Sequence, residues 1–172
     1  MTITPTEQRV IAPAHWDVDP GESFVEFEVK TFWGLSTVRG SFDLFDGSYE
    51  IAPDGATIEL TIDADTLNTG NSKRDKHLRS TDFFNVTEHP RVRFTSTRVH
   101  DVDGEILHVV GHLEAAGNAV ELEFPATVKP VGDELEIEAT TTVDQSLLGM
   151  SSGQLGMIRR PATLHVKARV TQ

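Results

Sequence analysis

The 172-residue chain has no cysteine. Disulfides, thiolate catalysis and cysteine-ligated metals are therefore excluded. It lacks long apolar runs, so nothing in it reads as a bilayer-spanning helix. It is short of positive charge: 15 Lys and Arg stand against 27 Asp and Glu, for a formal net charge of -12. Such a surface repels phosphate backbones and anionic headgroups, which argues against nucleic acid as a partner and against electrostatic docking to a membrane. The first residues, MTITPTEQRVIAPAHW, have no basic start followed by an apolar core, so no secretory leader is expected and a cytoplasmic location follows as an expectation. There are no βα repeats, no Gly-rich phosphate loop and no nucleophile-elbow motif, which removes nucleotide-binding α/β folds and the common hydrolase pattern.

What is present is alternation. Ser23–Lys30 (SFVEFEVK) puts Val25, Phe27 and Val29 on one face and Glu26, Glu28 and Lys30 on the other. The same two-residue period runs through Val38–Leu44, Thr57–Asp63, Arg91–Thr97, Ile106–Leu113, Val120–Phe124, Leu135–Val143 and Leu164–Val170. Period two marks strands with one buried and one wet face. Turn signals separate the runs: Asp19-Pro20-Gly21, Asp46-Gly47, Pro53-Asp54-Gly55, Asp103-Gly104, Gly117-Asn118 and Gly132-Asp133. About eight strands on short connections give an all-β antiparallel barrel or sandwich, in one domain at this length. A barrel of that size either fills with side chains or holds one small ligand. The inward Val, Ile, Leu, Phe and Ala suit an apolar ligand and offer little to a sugar or nucleotide.

Residues 61–94 interrupt the pattern. Asn68-Thr69-Gly70-Asn71 turns the chain, Ser72 and Asp75 fit a capping box, and a short helical insertion of about 72–84 follows. It carries Lys73, Arg74, Asp75, Lys76, His77 and Arg79, and then Phe83-Phe84. In the simplest reading it closes one barrel end: Leu78, Phe83 and Phe84 seal it, Ser80-Thr81-Asp82 caps a further turn, and Arg74 and Asp75 pin the backbone. His108, His112 and Glu114 share one strand face, but residues four apart on a strand are about 13 Å apart, too far to share a metal. They are expected to face solvent, and His89, His100 and His165 are isolated. Asp63 and Asp65 are expected to cap loops. Residues 147–157, LLGMSSGQLGM, are expected to form a flexible loop at a barrel mouth or a plain connection between the last two strands.

These motifs together resemble the YceI-like family of bacterial proteins. The resemblance starts at His15-Trp16-Asp17-Val18-Asp19-Pro20 with Ser23, and passes through Val38-Arg39-Gly40-Ser41-Phe42. It is densest over Ile62-Asp63-Ala64, Asn68-Thr69-Gly70-Asn71, Arg74-Asp75-x-His77-Leu78-Arg79-Ser80 and Asp82-Phe83-Phe84, with His89-Pro90 and Phe94 after them. It ends at Val110-Gly111-x-Leu113 and Gly149-Met150. The resemblance implies an extended lipocalin-like β-barrel over residues 13–172, preceded by an extension of residues 1–12. It implies a long apolar ligand such as a polyisoprenoid or isoprenoid quinone, held for transport, storage or sensing, with no cofactor, metal or catalytic residue.

On that reading Phe27, Phe42, Phe94, Phe83, Phe84 and Leu78 are the candidates for contacting the ligand's tail, and Arg74 and His77 for its polar head at the barrel mouth. No stable membrane insertion is implied, and a homodimer is compatible. Two alternatives stay open: an enzyme acting on a hydrophobic substrate in the same cavity, and a filled barrel serving as a structural or stress-response partner. The chain departs from the family at Ala116-Gly117-Asn118, where a Gly-Val-Thr-like turn is usual. It departs again at Val143-Asp144-Gln145, where Gln145 stands in place of an arginine. Members of the family also often carry an export signal.

Overall fold

A computed structural model describes residues 13–31, 36–150 and 161–172. Ten strands are paired antiparallel throughout: β1 (Ala14–Thr31), β2 (Ser36–Phe42), β3 (Phe45–Ala52), β4 (Gly55–Asp63), β5 (Leu67–Asn68), β6 (Arg91–Asp101), β7 (Ile106–Ala115), β8 (Asn118–Val131), β9 (Glu134–Val143) and β10 (Ala162–Thr171). One α-helix is present among the described residues, α1 (Ser72–Leu78). Eight strands close a ring in the order β1-β3-β4-β6-β7-β8-β9-β10, and β10 returns to β1. Closure removes the free sheet edges that an open sheet of this length exposes.

β1 is long enough to serve two partners on one edge. Ala14–Asp17 pair with Ile51–Ser48 of β3, while Glu26–Thr31 pair with Ser41–Ser36 of β2. β2 and the two-residue β5 thus lengthen the wall beyond the eight-strand ring, the extended barrel that the resemblance implies. Between its two halves β1 bulges. Asp19 faces Arg169 and Phe24 faces Lys167, so the residues between them have one counterpart on β10. Asp19 Oδ1 accepts the Gly21 N–H at 3.0 Å. The Ser23 hydroxyl donates to the Asp19 carbonyl at 2.6 Å and accepts the Arg169 N–H at 2.9 Å. The spacing Trp16-x-x-Asp19-x-x-x-Ser23 is therefore the chemistry of a bulge, and Asp19-Pro20-Gly21 is not a turn between strands.

Other expectations need correction. Asp46-Gly47 lies inside β3, opposite Thr61 and Leu60. A Cβ on Gly47 would stand 2.6 Å from the Glu59 carbonyl and 3.2 Å from Val18 Cγ2, so glycine here permits close packing rather than a reversal. The reversal falls at Asp43-Leu44, whose N–H groups both donate to the Thr66 hydroxyl, at 3.1 and 3.0 Å. Leu44 has accordingly left the strand phase and is 60% exposed. The expected Gly117-Asn118 turn falls one residue earlier: the positive φ values are at Ala116 and Gly117, 50° and 80°, and Asn118 opens β8. His108 and His112 lie on the outer face as expected. His108 Nε2 meets Glu123 Oε1 at 2.7 Å, and its ring stands 4.9 Å from that of His100. The N-terminal extension, residues 1–12, and most of the expected mouth loop, residues 151–160, lie outside the described residues.

A hollow apolar barrel closed by the helical insertion

The helical insertion forms because its charged side chains are spent on its own backbone. Asp63 ends β4, and its side chain accepts the Asp65 N–H at 3.1 Å, capping a 3₁₀ turn at Ala64–Thr66. Asn68 Oδ1 accepts the Gly70 N–H, and Gly70 takes a φ of 79°, which carries the chain off β5. The cap of α1 is Asn71, whose side chain accepts the Arg74 N–H at 3.0 Å. The expected capping box is thus displaced. Asp75, 7% exposed, turns back to Thr69 and accepts its N–H at 3.0 Å and its hydroxyl. Arg74 grips the same residue, with Nε on the Thr69 hydroxyl and Nη2 on its carbonyl, both at 2.9 Å. Arg79 reaches further back, to the carbonyls of Asp65 and Leu67 at 2.9 and 2.8 Å.

The helix stops at Leu78, shorter than the expected 72–84. The Phe84 N–H bonds the Leu78 carbonyl, and turns bonded to Ser80 and Arg79 follow, with Asn85 at a φ of 48°. These turns aim Phe83 and Phe84 inward. His77 stays beside them, its Nε2 3.2 Å from Asp82 Oδ2 and its ring edge-on to Phe83 at 5.2 Å.

Inside the barrel lies a cavity of about 480 Å³. Its wall is hydrocarbon over most of its surface, with Arg74, His77, Asp82, Thr141, Gln145, Ser48 and Glu59 as the polar and charged contributors and the Tyr49 phenol beside them. Several inward side chains, among them Ile137, Ala139, Leu164 and Val166, line this space and retain accessible surface, which a filled barrel would have taken from them. Val18 and Val29 both line it. At the strand rise they set its length along β1 at roughly 30 Å once the bulge is allowed for. A cavity this size falls within the range that takes small organic ligands, about 300–1,000 Å³.

All eight candidate residues lie on this wall: Phe27, Phe42, Phe94, Phe83, Phe84, Leu78, Arg74 and His77. Phe42 is the hub, with its ring centroid 5.4 Å from Phe27 and 5.7 Å from Phe84 in an edge contact. Phe27 is seated over Gly40, where a Cβ would stand 2.5 Å from its ring. The Val-Arg-Gly-Ser-Phe run places that glycine under the aromatic cluster. Arg74 and His77 touch the cavity while holding Thr69 and Asp82, so each has a structural duty at the wall. Gln145 begins a 3₁₀ turn, Gln145–Leu148, that brings the buried Leu148 and Met150 over the same end. Asn118 Nδ2 ties that turn to the β7–β8 hairpin through the Leu148 carbonyl at 2.9 Å.

A family model for the YceI-like domain matches residues 16–170. The chain belongs to the YceI-like family. Among curated YceI-like relatives, a UPF0312 protein of Pectobacterium carotovorum is 37% identical over 122 residues, covering 69% of this chain and 62% of that protein. Protein YceI of Shigella flexneri is 35% identical over 121 residues, with the same two shares. The match thus spans less than two thirds of those relatives' length. Among solved structures, BcnA of Burkholderia cenocepacia superposes with a TM-score of 0.76 at 19% identity, over 89% of this chain and 98% of that one. A polyisoprenoid binding domain from Saccharophagus degradans superposes with a TM-score of 0.74 at 16% identity, over 90% and 97%. These two likenesses establish the YceI-like fold. The described residues contain no helix long and apolar enough to cross a membrane and no cluster of three or more metal-ligating side chains.

Tyr49 is a cavity residue that the alternation pattern missed. It is 6% exposed, lines the cavity and stacks on Trp16 at 5.5 Å. The signal was present in the in-phase set Gly47, Tyr49 and Ile51, but Asp46-Gly47 mimics a hairpin turn and hides it.

Proposed function

We propose that this YceI-like protein binds a long apolar ligand of the polyisoprenoid or isoprenoid-quinone class in the barrel, for transport, storage or sensing. The carrying observation is the cavity itself: about 480 Å³, elongated and walled mainly by hydrocarbon. The naming of the Saccharophagus degradans neighbour as a polyisoprenoid binding domain supports the choice of ligand class. Burial of each methylene contributes about 0.8 kcal/mol, so roughly ten buried carbons contribute about 8 kcal/mol. That offsets association costs of about 4 kcal/mol or more. Contact of this kind is strong without being sharply selective. The aromatic cluster of Phe27, Phe42 and Phe84, with Phe83, Phe94 and Leu78, contacts the tail, and Arg74 and His77 meet the ligand where it passes α1. On this reading the barrel holds its ligand without acting on it chemically.

Uptake of a fluorescent prenyl probe tests the reading, with Phe42→Asp as the informative variant. A carboxylate at the hub of the aromatic cluster stands against the ligand, and its desolvation opposes binding. Probe affinity is expected to fall at least tenfold in the fraction that remains folded by near-ultraviolet circular dichroism. Affinity equal to the parent's in a folded variant removes Phe42 from the binding wall. Turnover of a bound quinone or polyprenyl compound would replace the carrier reading with an enzymatic one.

A further inference from the structure

The two ends of the cavity differ in chemistry. Near α1 the polar groups are engaged: Arg74 Nε and Nη2 on Thr69, and His77 on Asp82. Tyr49 lies at the other end. It pairs with Trp16 near the start of β1, whereas β2 and the aromatic cluster sit along the later half of that strand. The phenol lines the cavity at 6% exposure, yet its hydroxyl has no hydrogen-bond partner among the described residues. Ile58, opposite it on β4, and Val18, packed against Gly47, are hydrocarbon and supply none. Burial holds the phenol's pKa above its usual value, and the negative charge of Asp101 adds to the effect, so the group remains a donor across the neutral range. A donor on the cavity wall that keeps accessible surface and has no protein partner is free to bond the cavity's occupant.

We propose that the Tyr49 hydroxyl is a ligand-binding group, donating a hydrogen bond to an acceptor oxygen on the end of the ligand that reaches the base of the barrel. The inference rests on the apolar-ligand reading and narrows it. The occupant is an apolar chain ending in a ketone, quinone, ester or amide oxygen, and a pure hydrocarbon is the poorer ligand. A site built to bond an oxygen rejects the analogue that lacks it, because its own donor is then left unpaired.

The test compares two probes on the full chain and on Tyr49→Phe: a linear polyprenyl hydrocarbon, and the methyl ketone of the same chain length. Each displaces a fluorescent prenyl probe. The parent is expected to prefer the ketone by roughly five- to tenfold. Tyr49→Phe is expected to bind both alike, holding the hydrocarbon at least as tightly as the parent because no donor is then left unpaired, and a cooperative thermal melt shows that the variant is folded. Tyr49 is the only tyrosine, so tyrosinate absorbance reports it alone. Its ionisation is expected at higher pH in the ketone-loaded protein than in the hydrocarbon-loaded one. A ketone preference that survives in Tyr49→Phe, or a parent that takes up both probes with no preference, overturns the Tyr49 assignment and leaves the carrier reading intact. Failure of both probes to enter the parent overturns both readings.

Discussion

Phenylalanine in place of Ala139 is expected to reduce prenyl-probe uptake by at least tenfold while leaving the barrel folded. Ala139 sits on β9 between Ala126 of β8 and Val166 of β10, and all three line the cavity. The two alanines and the valine leave one stretch of wall thin. A phenyl ring projecting from Ala139 therefore enters empty space rather than a packed neighbour. Overpacking in a dense core costs about 1–3 kcal/mol, and a hollow absorbs the added ring with less. For a protein of this size a loss of about 1 kcal/mol lowers Tm by roughly 2–4 °C. The measurements are a probe titration and a thermal melt on the same preparation. Unchanged uptake in a folded Ala139→Phe protein would mean that the probe binds elsewhere.

The second large effect belongs to Asp75. Asp75→Ala is expected to cost about 3 kcal/mol, read as the shift in urea midpoint at constant slope. The carboxylate is buried at 7% exposure and accepts both the N–H and the hydroxyl of Thr69, the residue that Arg74 also holds. Its removal strands a partly buried N–H and releases the turn that sets α1 against β5. Asp75→Asn keeps one acceptor oxygen and is expected to fall between the two. Lys73→Ala, on the exposed side of α1, serves as the control and is expected to stay within about 0.5 kcal/mol of the parent. A loss below about 1 kcal/mol for Asp75→Ala would contradict the assignment of Asp75 as the clamp. Faster probe release from the same variant would tie the clamp to retention of the ligand.

The strands were legible where alternation was uninterrupted. β4, β9 and β10 follow the two-residue period from end to end, and each run fell within its strand. The pattern failed where backbone devices borrow the residues of turns. Pro20-Gly21 builds a bulge that keeps β1 continuous, because Ser23 replaces the missing ladder bonds. Asp46-Gly47 sits mid-strand because β3 packs against the Glu59 carbonyl there. β5 is two residues long and shows no period at all. In the insertion the charges of Arg74 and Asp75 were readable as backbone pins, but the cap was misplaced by one residue, since Asn71 and Ser72 are both good capping types. The apolar face of the cavity was also readable, down to Phe27, Phe42 and Phe94. Its emptiness was not. Alternation states which side chains point inward, and whether they meet across a barrel depends on closure, on shear and on small residues such as Ala139 and Ala126 that the period does not weigh.

The most direct measurement is organic extraction of the purified protein followed by mass spectrometry. A binding barrel with a hollow of this length and lining predicts a co-purified long-chain lipid at near-stoichiometric amount in the parent, depleted in Ala139→Phe. An isoprenoid carrying an oxygenated end would fit both the cavity wall and Tyr49. An extract with no lipid, from a folded protein that also takes up no prenyl probe, would contradict the account.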